Sequence, residues 1–118
     1  GFIGAARLPH AANEPVEIGL NYLATPNLNE KTVIVVDPML ATGKSIVKSI
    51  ESLFENGKPK SLHIATTIAA PEGVSYVKDN LNTAYNLWSC ALDEKLNEKY
   101  YIVPGLGDAG DLAFGQKL

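Results

Sequence analysis

The spacing of hydrophobic residues changes along the chain from continuous runs to a helical period. Thr32–Val36 and Leu62–Ala69 are apolar and β-branched runs, which predict buried strands; the lack of alternation in the first predicts that both its faces are covered. Between them, the apolar residues of 44–56 fall on one helical face, and these are Ile46, Val47, Ile50, Leu53 and Phe54. This spacing predicts a helix that ends at Asn56–Gly57.

Further elements are predicted on either side of this unit. Phe2–Ala6 has the composition of a short strand, and Val16–Ala24 alternates apolar and polar residues, as a half-exposed strand or arm does. The remaining predicted elements are a helix that opens at Pro71–Glu72 with Val74, Val77 and Leu81 inward, and strands at Ala84–Ala91 and Tyr100–Val103. Strands that alternate with helices indicate an α/β fold with a largely parallel sheet.

The composition of the chain argues against several classes of function. The chain has 118 residues, of which 46% are hydrophobic and 19% charged, as in one ordinary globular domain. Its net charge of −3 argues against nucleic-acid binding, and no apolar run approaches the length of a membrane span. The chain opens on Gly1 rather than methionine, so we expect a fragment of a longer polypeptide.

Single residues of special chemistry have mostly structural interpretations. Cys90 is the only cysteine, which excludes an intramolecular disulfide, and its apolar surroundings predict a buried, inert thiol in a reducing cytoplasm. Trp88 and Phe54 are predicted core residues. His10 and His63 have no metal-ligating partner at a suitable spacing and are predicted to be structural.

Two further segments are predicted to lie on the surface. The run Asp93–Lys99 mixes charges of both signs and is predicted to be a solvated turn. Leu20 and Tyr22 lie on the arm-like strand and are candidates for packing against a second subunit, because an isolated hairpin is only marginally stable. Dimerisation through this arm is therefore a hypothesis.

The segment Asp37–Ser45 (DPMLATGKS) joins a predicted strand to the first helix. A phosphate dianion needs several converging N–H donors and a helix N-terminus. Gly43 can adopt a positive φ and lets the backbone approach a ligand, while Thr42 and Ser45 add hydroxyl donors. Asp37 precedes the loop and is placed to accept hydrogen bonds from ribose hydroxyls. The segment predicts a phosphate-binding loop at the carboxyl end of a strand.

This segment has two other interpretations. A Walker A loop needs a glycine five positions before Gly43, and Pro38 stands there, so NTP hydrolysis is disfavoured. The second alternative is that Thr42–Ser45 only caps a helix, as serine and threonine often do. The loop taken alone leaves that alternative open.

A second motif, Tyr101–Phe114 (YIVPGLGDAGDLAF), is punctuated by glycines and carries two aspartates. Glycines allow backbone groups to approach the edge of a small planar ligand such as a nucleobase. The structural alternative is an ordinary turn in which Asp108 caps a helix suggested by Leu112–Phe114.

The two motifs in this order resemble the uracil phosphoribosyltransferase family, and Ala69–Gly73 (AAPEG) resembles the family segment that follows the middle strand. The resemblance covers nearly the whole chain. It implies that the residues that contact phosphoribosyl pyrophosphate are Arg7, Asp37, Pro38, Met39, Leu40, Ala41, Thr42, Gly43, Lys44, Ser45 and Asp108. It further implies that uracil contacts Ile102, Gly107, Asp108 and Ala109. Lys44 departs from the family pattern, which has glycine at this position.

The resemblance implies a type I phosphoribosyltransferase fold, of which residues 1–118 form the carboxyl-terminal part of a single domain. The implied reaction is pyrimidine salvage, in which uracil and phosphoribosyl pyrophosphate give UMP and pyrophosphate with Mg²⁺. Asp37 and Asp108 are the implied catalytic residues, and no specific metal ligand is assigned. A homo-oligomer is expected, and GTP activates some relatives.

The same resemblance implies that another pyrophosphate-contacting loop lies in an amino-terminal part outside these residues. We therefore expect weak ligand binding and no catalysis from the 118 residues alone. Two alternatives stay open, namely a non-catalytic sensor of phosphoribosyl pyrophosphate or nucleotides, and the phosphoribosyltransferase-like half of a uridine kinase fusion.

Overall fold

A computed structural model of the protein describes residues 1–7 and 18–116. The helices are α1 (Lys44–Phe54), α2 (Pro71–Asn80) and α3 (Ala109–Phe114). The strands are β1 (Phe2–Arg7), β2 (Ile18–Ala24), β3 (Thr32–Val36), β4 (Met39–Leu40), β5 (Ser61–Ala69), β6 (Asn86–Leu92), β7 (Lys95–Leu96) and β8 (Ile102–Val103). No helix in these described ranges is long and apolar enough to cross a membrane.

The longest strand, β5, lies at the centre of a parallel sheet. It pairs with β3 and then with β4 along one edge, where Val35 is opposite Ile64 and Leu40 is opposite Ala69. On its other edge it pairs with β6, with Ala65 opposite Trp88. The predicted α/β architecture with a parallel sheet is confirmed, because β3–α1–β5 and β5–α2–β6 are successive βαβ units.

The core lies between one face of this sheet and the two long helices. The predicted inward residues of α1 are buried, and Phe54 packs against the edge of the same cluster. From α2, Val77 is fully buried and Val74 lies beside it. The strands contribute Leu62 and Ile64 of β5. The helical periodicity therefore predicted this side of the sheet correctly.

Three predictions about residues on the opposite face of the sheet are wrong. The run Thr32–Val36 is not covered on both faces, since Ile34 is 64% exposed and Val36 is 73% exposed. Trp88 is 60% exposed rather than part of the core, and the Cys90 thiol is exposed rather than buried. These predictions were wrong because helices α1 and α2 both pack on the other face.

The strands β1 and β2 form a separate antiparallel hairpin with a register shift between Gly4 and Ala5. The two strands agree with the predicted ones as far as these are described. Val16 and Glu17 of the second predicted strand lie outside the described residues, and so does His10. Tyr22 is mostly exposed on β2, and the dimer hypothesis for this arm stays a prediction.

Candidate active site

The loop after β3 is bonded to the central strand on both sides of its turn. The carbonyl oxygen of Pro38 accepts a hydrogen bond from the N–H of Thr67 at 3.1 Å. The carbonyl oxygen of Leu40 accepts one from the N–H of Ala70 at 2.9 Å. The sequence did not predict the two-residue strand β4 that results, because two residues carry no periodicity. These bonds fix the path of the loop relative to the sheet.

Gly43 makes the turn from this loop into α1. Its φ of 78° lies in the left-handed region, and its carbonyl oxygen accepts the N–H of Val47 at 3.1 Å. Gly43 is the N-cap and has no side chain with which to cap the helix; the Thr42 hydroxyl accepts the N–H of Lys44 at a long 3.4 Å. The first turn of α1 therefore offers N–H donors to an anion.

A second glycine brings α2 against the loop. A β-carbon on Gly73 would collide with the carbonyl oxygen of Ala41 and would lie 3.0 Å from that of Leu40. Pro71 begins this helix, so the AAPEG segment places the first turn of α2 against the loop. The close approach requires glycine at this position and supports the loop.

Asp37 lies at the junction of β3 and the loop. Its Oδ1 accepts the N–H of Met39 at 3.1 Å, which orients the carboxyl group. Burial raises the pKa of this carboxyl above the ordinary value of 3.8, and the hydrogen bond from Met39 opposes part of that effect. A half-buried acceptor at the carboxyl end of a strand is suited to bind hydroxyl groups of a ligand.

The glycine-rich motif lies on a hairpin formed by β7 and β8, and two carboxylates hold this hairpin. Glu72, in the first turn of α2, accepts the N–H of Leu96 through Oε1 at 2.9 Å, and this bond lowers the pKa of Glu72. Asp93 accepts the N–H of Gly105 through Oδ2 at 2.9 Å. Asp93 therefore has a structural role that the predicted solvated turn did not include, although the neighbouring residues 97–100 form an exposed turn.

The motif itself turns twice through positive φ, at 54° for Gly105 and 82° for Gly107. Asp108 then caps α3, because its Oδ1 accepts the N–H of Asp111 at 2.9 Å. The capping interpretation of Asp108 is therefore confirmed. Capping does not exclude a second role, since Asp108 also lines a cleft.

The two motifs face each other across one cleft of about 770 Å³. One wall carries Asp37, Met39 and Ser45, and the other carries Ile102 and the stretch 107–110. A smaller cavity of about 50 Å³ lies inside the loop, where Thr42 and Gly43 contribute to its lining. A cleft of this size is suited to a small-molecule ligand, with room for a group at the helix N-terminus.

Comparison with known proteins identifies the family. The family model described as uracil phosphoribosyltransferase matches residues 2–116. The chain belongs to the uracil phosphoribosyltransferase family.

Relatives named uracil phosphoribosyltransferase are similar over most of the chain. That of Shouchella clausii is 48% identical over 118 residues, which are 99% of this chain and 54% of the relative. That of Porphyromonas gingivalis is 44% identical over 86% of this chain and 47% of its own length. The solved structure of AQ2163 protein from Aquifex aeolicus superposes with a TM-score of 0.87 at 33% identity, covering 100% of this chain and 54% of that one. The chain spans about half the length of the relatives that it matches.

Most of the residues that the uracil phosphoribosyltransferase resemblance implied are together in the structure. Those that line the large cleft are Asp37, Pro38, Met39, Ala41, Ser45, Ile102, Gly107, Asp108 and Ala109. Leu40, Thr42 and Gly43 line the small loop cavity. Arg7 is the last residue of β1, two positions after Ala5, which lines the large cleft.

Lys44 is the exception among these residues. It lines a groove of about 380 Å³ between the two long helices, together with Lys48, Tyr76 and Asn80. Neither the large cleft nor the loop cavity includes it among its lining residues. Lys44 therefore lines the groove between the helices, whereas the next residue, Ser45, lines the loop cavity.

Sequence reasoning missed several residues of the cleft. Tyr100, Tyr101 and Gly110 line it beside the implied uracil contacts, and Ala5 reaches it from the hairpin of β1 and β2. Tyr100 has a φ of 61°, which is uncommon for a residue other than glycine. Tyr101 and Gly110 lie within the second motif and Tyr100 precedes it, so their positions in the sequence were the available signal, whereas Ala5 offered none.

The described residues also allow a test of metal binding. No group of three or more histidine, cysteine, aspartate or glutamate side chains in ranges 1–7 and 18–116 is arranged to hold a metal ion. Asp37 and Asp108 do line the same cleft. Because Mg²⁺ is commonly held by one or two carboxylates together with substrate phosphates, this donor set fits a Mg²⁺ that binds with a phosphorylated ligand.

Proposed function

We propose that this chain forms the carboxyl-terminal part of a phosphoribosyltransferase domain that converts uracil and phosphoribosyl pyrophosphate to UMP and pyrophosphate. The observation that carries the proposal is the single cleft that both motifs line. A transfer reaction needs its two reactants in one enclosed space at a fixed mutual orientation. The family membership and the names of the relatives support the same activity.

The phosphate loop is proposed to bind the phosphoribosyl group. The 5-phosphate occupies the loop cavity, where the first N–H groups of α1 and the hydroxyls of Thr42 and Ser45 donate to it. Asp37 accepts hydrogen bonds from the ribose hydroxyls. Burial raises the pKa of Asp37, and hydrogen bonds donated by ligand hydroxyls would favour the ionised form of this carboxyl group.

The opposite wall is proposed to bind uracil. Gly107 has no atom within 4 Å of the place where a β-carbon would be, so a flat ligand can approach its backbone. Backbone N–H and C=O groups of Gly107 and Ala109 match the alternating polar edge of uracil, and the side chain of Ile102 closes the cleft behind the ring. Asp108 faces the phosphoribosyl group between the two sites.

The chemistry needs no covalent nucleophile. The bond from N1 of uracil to the ribose anomeric carbon forms, the bond from that carbon to pyrophosphate breaks, and the N1 proton is released. The transition state resembles an oxocarbenium ion, so the chain contributes mainly by orienting the two substrates and by favourable electrostatics. When bound, Mg²⁺ neutralises charge on the leaving pyrophosphate, and Asp37 and Asp108 are the residues that would hold it.

Catalysis is proposed to require more polypeptide than these residues, because the chain spans about half the length of its relatives. A homo-oligomer is also proposed, and the exposed Tyr22 arm is its candidate contact. Sedimentation of the 118-residue chain as a monomer at micromolar concentration would count against that contact.

The test is a synthesis assay on the chain extended to the full length of its relatives. Uracil, phosphoribosyl pyrophosphate and Mg²⁺ are supplied, UMP is followed, and cytosine, hypoxanthine and orotate serve as control bases. Uracil-specific turnover is expected, with none from the 118 residues alone. Binding of phosphoribosyl pyrophosphate by a folded full-length protein without turnover would favour a sensor instead. Robust UMP synthesis by the 118-residue chain would contradict the need for further polypeptide.

A further inference from the structure

Tyr100 has a backbone conformation that bulky residues rarely adopt. Its φ of 61° lies in the left-handed region, where the β-carbon of an L-residue is crowded and the conformation costs free energy. In the ranges 1–7 and 18–116, Glu30 at 58° is the one other residue besides glycine with a positive φ. Such strain persists where the surrounding structure imposes it, and it is concentrated at ligand-binding sites.

The turn between β7 and β8 imposes this conformation on Tyr100. Its N–H donates to the carbonyl oxygen of Asn97 at 2.9 Å, which closes a four-residue turn. The Oδ1 of Asn97 accepts the N–H of Lys99 at 2.9 Å and that of Tyr101 at 3.0 Å. Asparagine is a preferred first residue of such a turn, and glycine is the usual residue at its fourth, left-handed position. Because glycine would form the same turn without strain, the turn does not account for a tyrosine.

Burial does not account for the tyrosine either. Tyr100 is 50% exposed, so packing within the described part of the chain yields only part of the hydrophobic gain of its ring. It lines the cleft of about 770 Å³ beside Ile102 and the stretch 107–110. The neighbouring Tyr101 also lines a second groove of about 450 Å³, whose lining does not include Tyr100. The strained residue therefore lies at the wall to which uracil binding is assigned above.

The contacts assigned to uracil at this wall leave part of the base uncovered. Backbone groups of Gly107 and Ala109 meet its polar edge, and Ile102 lies behind the ring. These contacts leave a flat, weakly polar face of the base open to water. A tyrosine offers a large, flat aromatic surface with only two side-chain torsions to fix, so it covers such a face at a small cost in entropy.

We propose that Tyr100 contacts the flat face of the pyrimidine base, both in uracil and in the product UMP. This inference rests on the proposed function and adds a base-contacting residue outside the glycine-rich motif. The hydrogen bonds of Asn97 fix the backbone of Tyr100 before a ligand binds, which lowers the cost of ordering the ring. Phosphoribosyl pyrophosphate binds at the loop wall, so the ring acts on the affinity for the base.

The experiment uses the chain extended to the full length of its relatives and measures both KM values and the Kd of UMP by calorimetry. Tyr100→Gly and Tyr100→Asn remove the ring but keep the turn, because glycine and asparagine tolerate the left-handed region. Each should raise the KM for uracil and the Kd of UMP by about tenfold, as loss of a base–aromatic contact does. The KM for phosphoribosyl pyrophosphate should change by less than about twofold, and Tyr100→Phe should keep all three constants within the same limit.

Glu30→Gly is the matched control. It replaces the other left-handed residue by glycine, in an exposed turn that does not contribute to the lining of the cleft. This variant should leave all three constants unchanged. Thermal unfolding supplies the second readout: the Tm of Tyr100→Gly should not fall below that of the wild type, because relief of strain offsets the greater chain entropy of glycine.

Three results would overturn the inference. The first is a Tyr100→Gly variant that keeps the wild-type KM for uracil and Kd of UMP. The second is an equal rise in both KM values with a lower Tm, which would assign Tyr100 a structural role. The third is a Tyr100→Phe variant that behaves like Tyr100→Gly, which would assign the contact to the hydroxyl group instead of the ring.

Failure of the proposed function gives a different result. A wild-type protein that binds UMP but forms none from uracil would refute the reaction, while the UMP titrations would still test Tyr100. A folded wild-type protein that binds no UMP would overturn both.

Discussion

A β-carbon on Gly43 would lie 2.7 Å from the carbonyl oxygen of Gly73, so the phosphate loop and α2 meet at two glycines. Gly43 provides the left-handed turn, and Gly73 provides the room for it. The shape of the loop therefore depends on a residue that does not line the cleft.

Gly73→Ala is expected to lower the free energy of unfolding by roughly 1–3 kcal/mol, because the added methyl group collides with the carbonyl oxygen of Ala41. Displacement of the loop should also weaken binding of ribose 5-phosphate by about tenfold. Urea unfolding and calorimetric titration measure the two effects. Ser75→Ala, exposed on the same helix, is the control and should change neither. Unchanged binding in Gly73→Ala would show that contact with α2 does not determine the conformation of the loop.

Lys44 and Ser45 line different cavities. Variants at these positions therefore distinguish phosphate binding by the Lys44 ammonium group from phosphate binding by the Ser45 hydroxyl. Lys44→Gln should leave the affinity for ribose 5-phosphate within about twofold and stability within about 0.5 kcal/mol, as at an ordinary surface position. Ser45→Ala should reduce that affinity by roughly fivefold to tenfold, because one hydroxyl donor is lost. Titrations at two salt concentrations check both. A tenfold loss in Lys44→Gln would mean that the ammonium group reaches the phosphate.

Asp37 gives a pH-dependent prediction. Since burial raises its folded-state pKa above 3.8, ionisation of Asp37 costs the folded chain stability as pH rises through that raised pKa. Asp37→Asn removes this cost and keeps an oxygen to accept the N–H of Met39. The variant should match the wild type in stability below pH 3.8 and exceed it at about pH 7, while losing affinity for the ribose.

Urea unfolding of both proteins across this pH range is the measurement. Asp79→Asn, exposed on α2, corrects for the loss of one surface charge. A stability difference that shrinks toward neutral pH would have the wrong sign and would contradict burial as the cause.

Asp93 is expected to act on the cleft through Gly105. Asp93→Ala removes the acceptor of the Gly105 N–H and should cost about 1 kcal/mol of stability, with faster amide exchange at Gly105. In the full-length protein we expect a higher KM for uracil and little change in KM for phosphoribosyl pyrophosphate. Asp93→Asn keeps an acceptor and should restore both properties. Glu98→Ala, in the exposed turn of the same hairpin, should have no effect; a uniform rise in both KM values would indicate general unfolding.

The elements with clear periodicity were predictable from sequence. The strand at 32–36, the helix α1 and the strand β5 carry whole turns or runs of apolar residues, and their bounds differ from the prediction by two residues or fewer. The rule that ligands bind beyond the carboxyl ends of parallel strands predicted the place of the loop Asp37–Ser45. That the second motif lies at the same cleft was implied only by the family resemblance, since this motif follows an antiparallel hairpin. The roles of Gly73 and Asp93 were not predictable, because they depend on contacts between segments distant in sequence.

The errors at Trp88 and Cys90 have a different origin. Their apolar surroundings in the sequence were interpreted as burial, yet both side chains are exposed. A hydrophobic pattern records the environment in the complete assembly in which a sequence is selected. An apolar run alone does not show which face of the sheet the helices cover, and here α1 and α2 both pack on the face opposite Trp88.

The two walls of the cleft are attached to the molecule in different ways. The phosphate loop is hydrogen-bonded to the central strand through Pro38 and Leu40, whereas the hairpin that carries Gly105 is fastened by the carboxylates of Glu72 and Asp93. The N–H of Asp93 also donates to the carbonyl oxygen of Ala69, the last residue of the central strand, at 2.8 Å. The residues after Asp93 can therefore be exchanged while this bond and those within the sheet are retained. Under the proposed function, such modularity separates the evolution of base preference from that of sugar-phosphate recognition, and it makes the 94–108 segment the natural place to graft a new specificity.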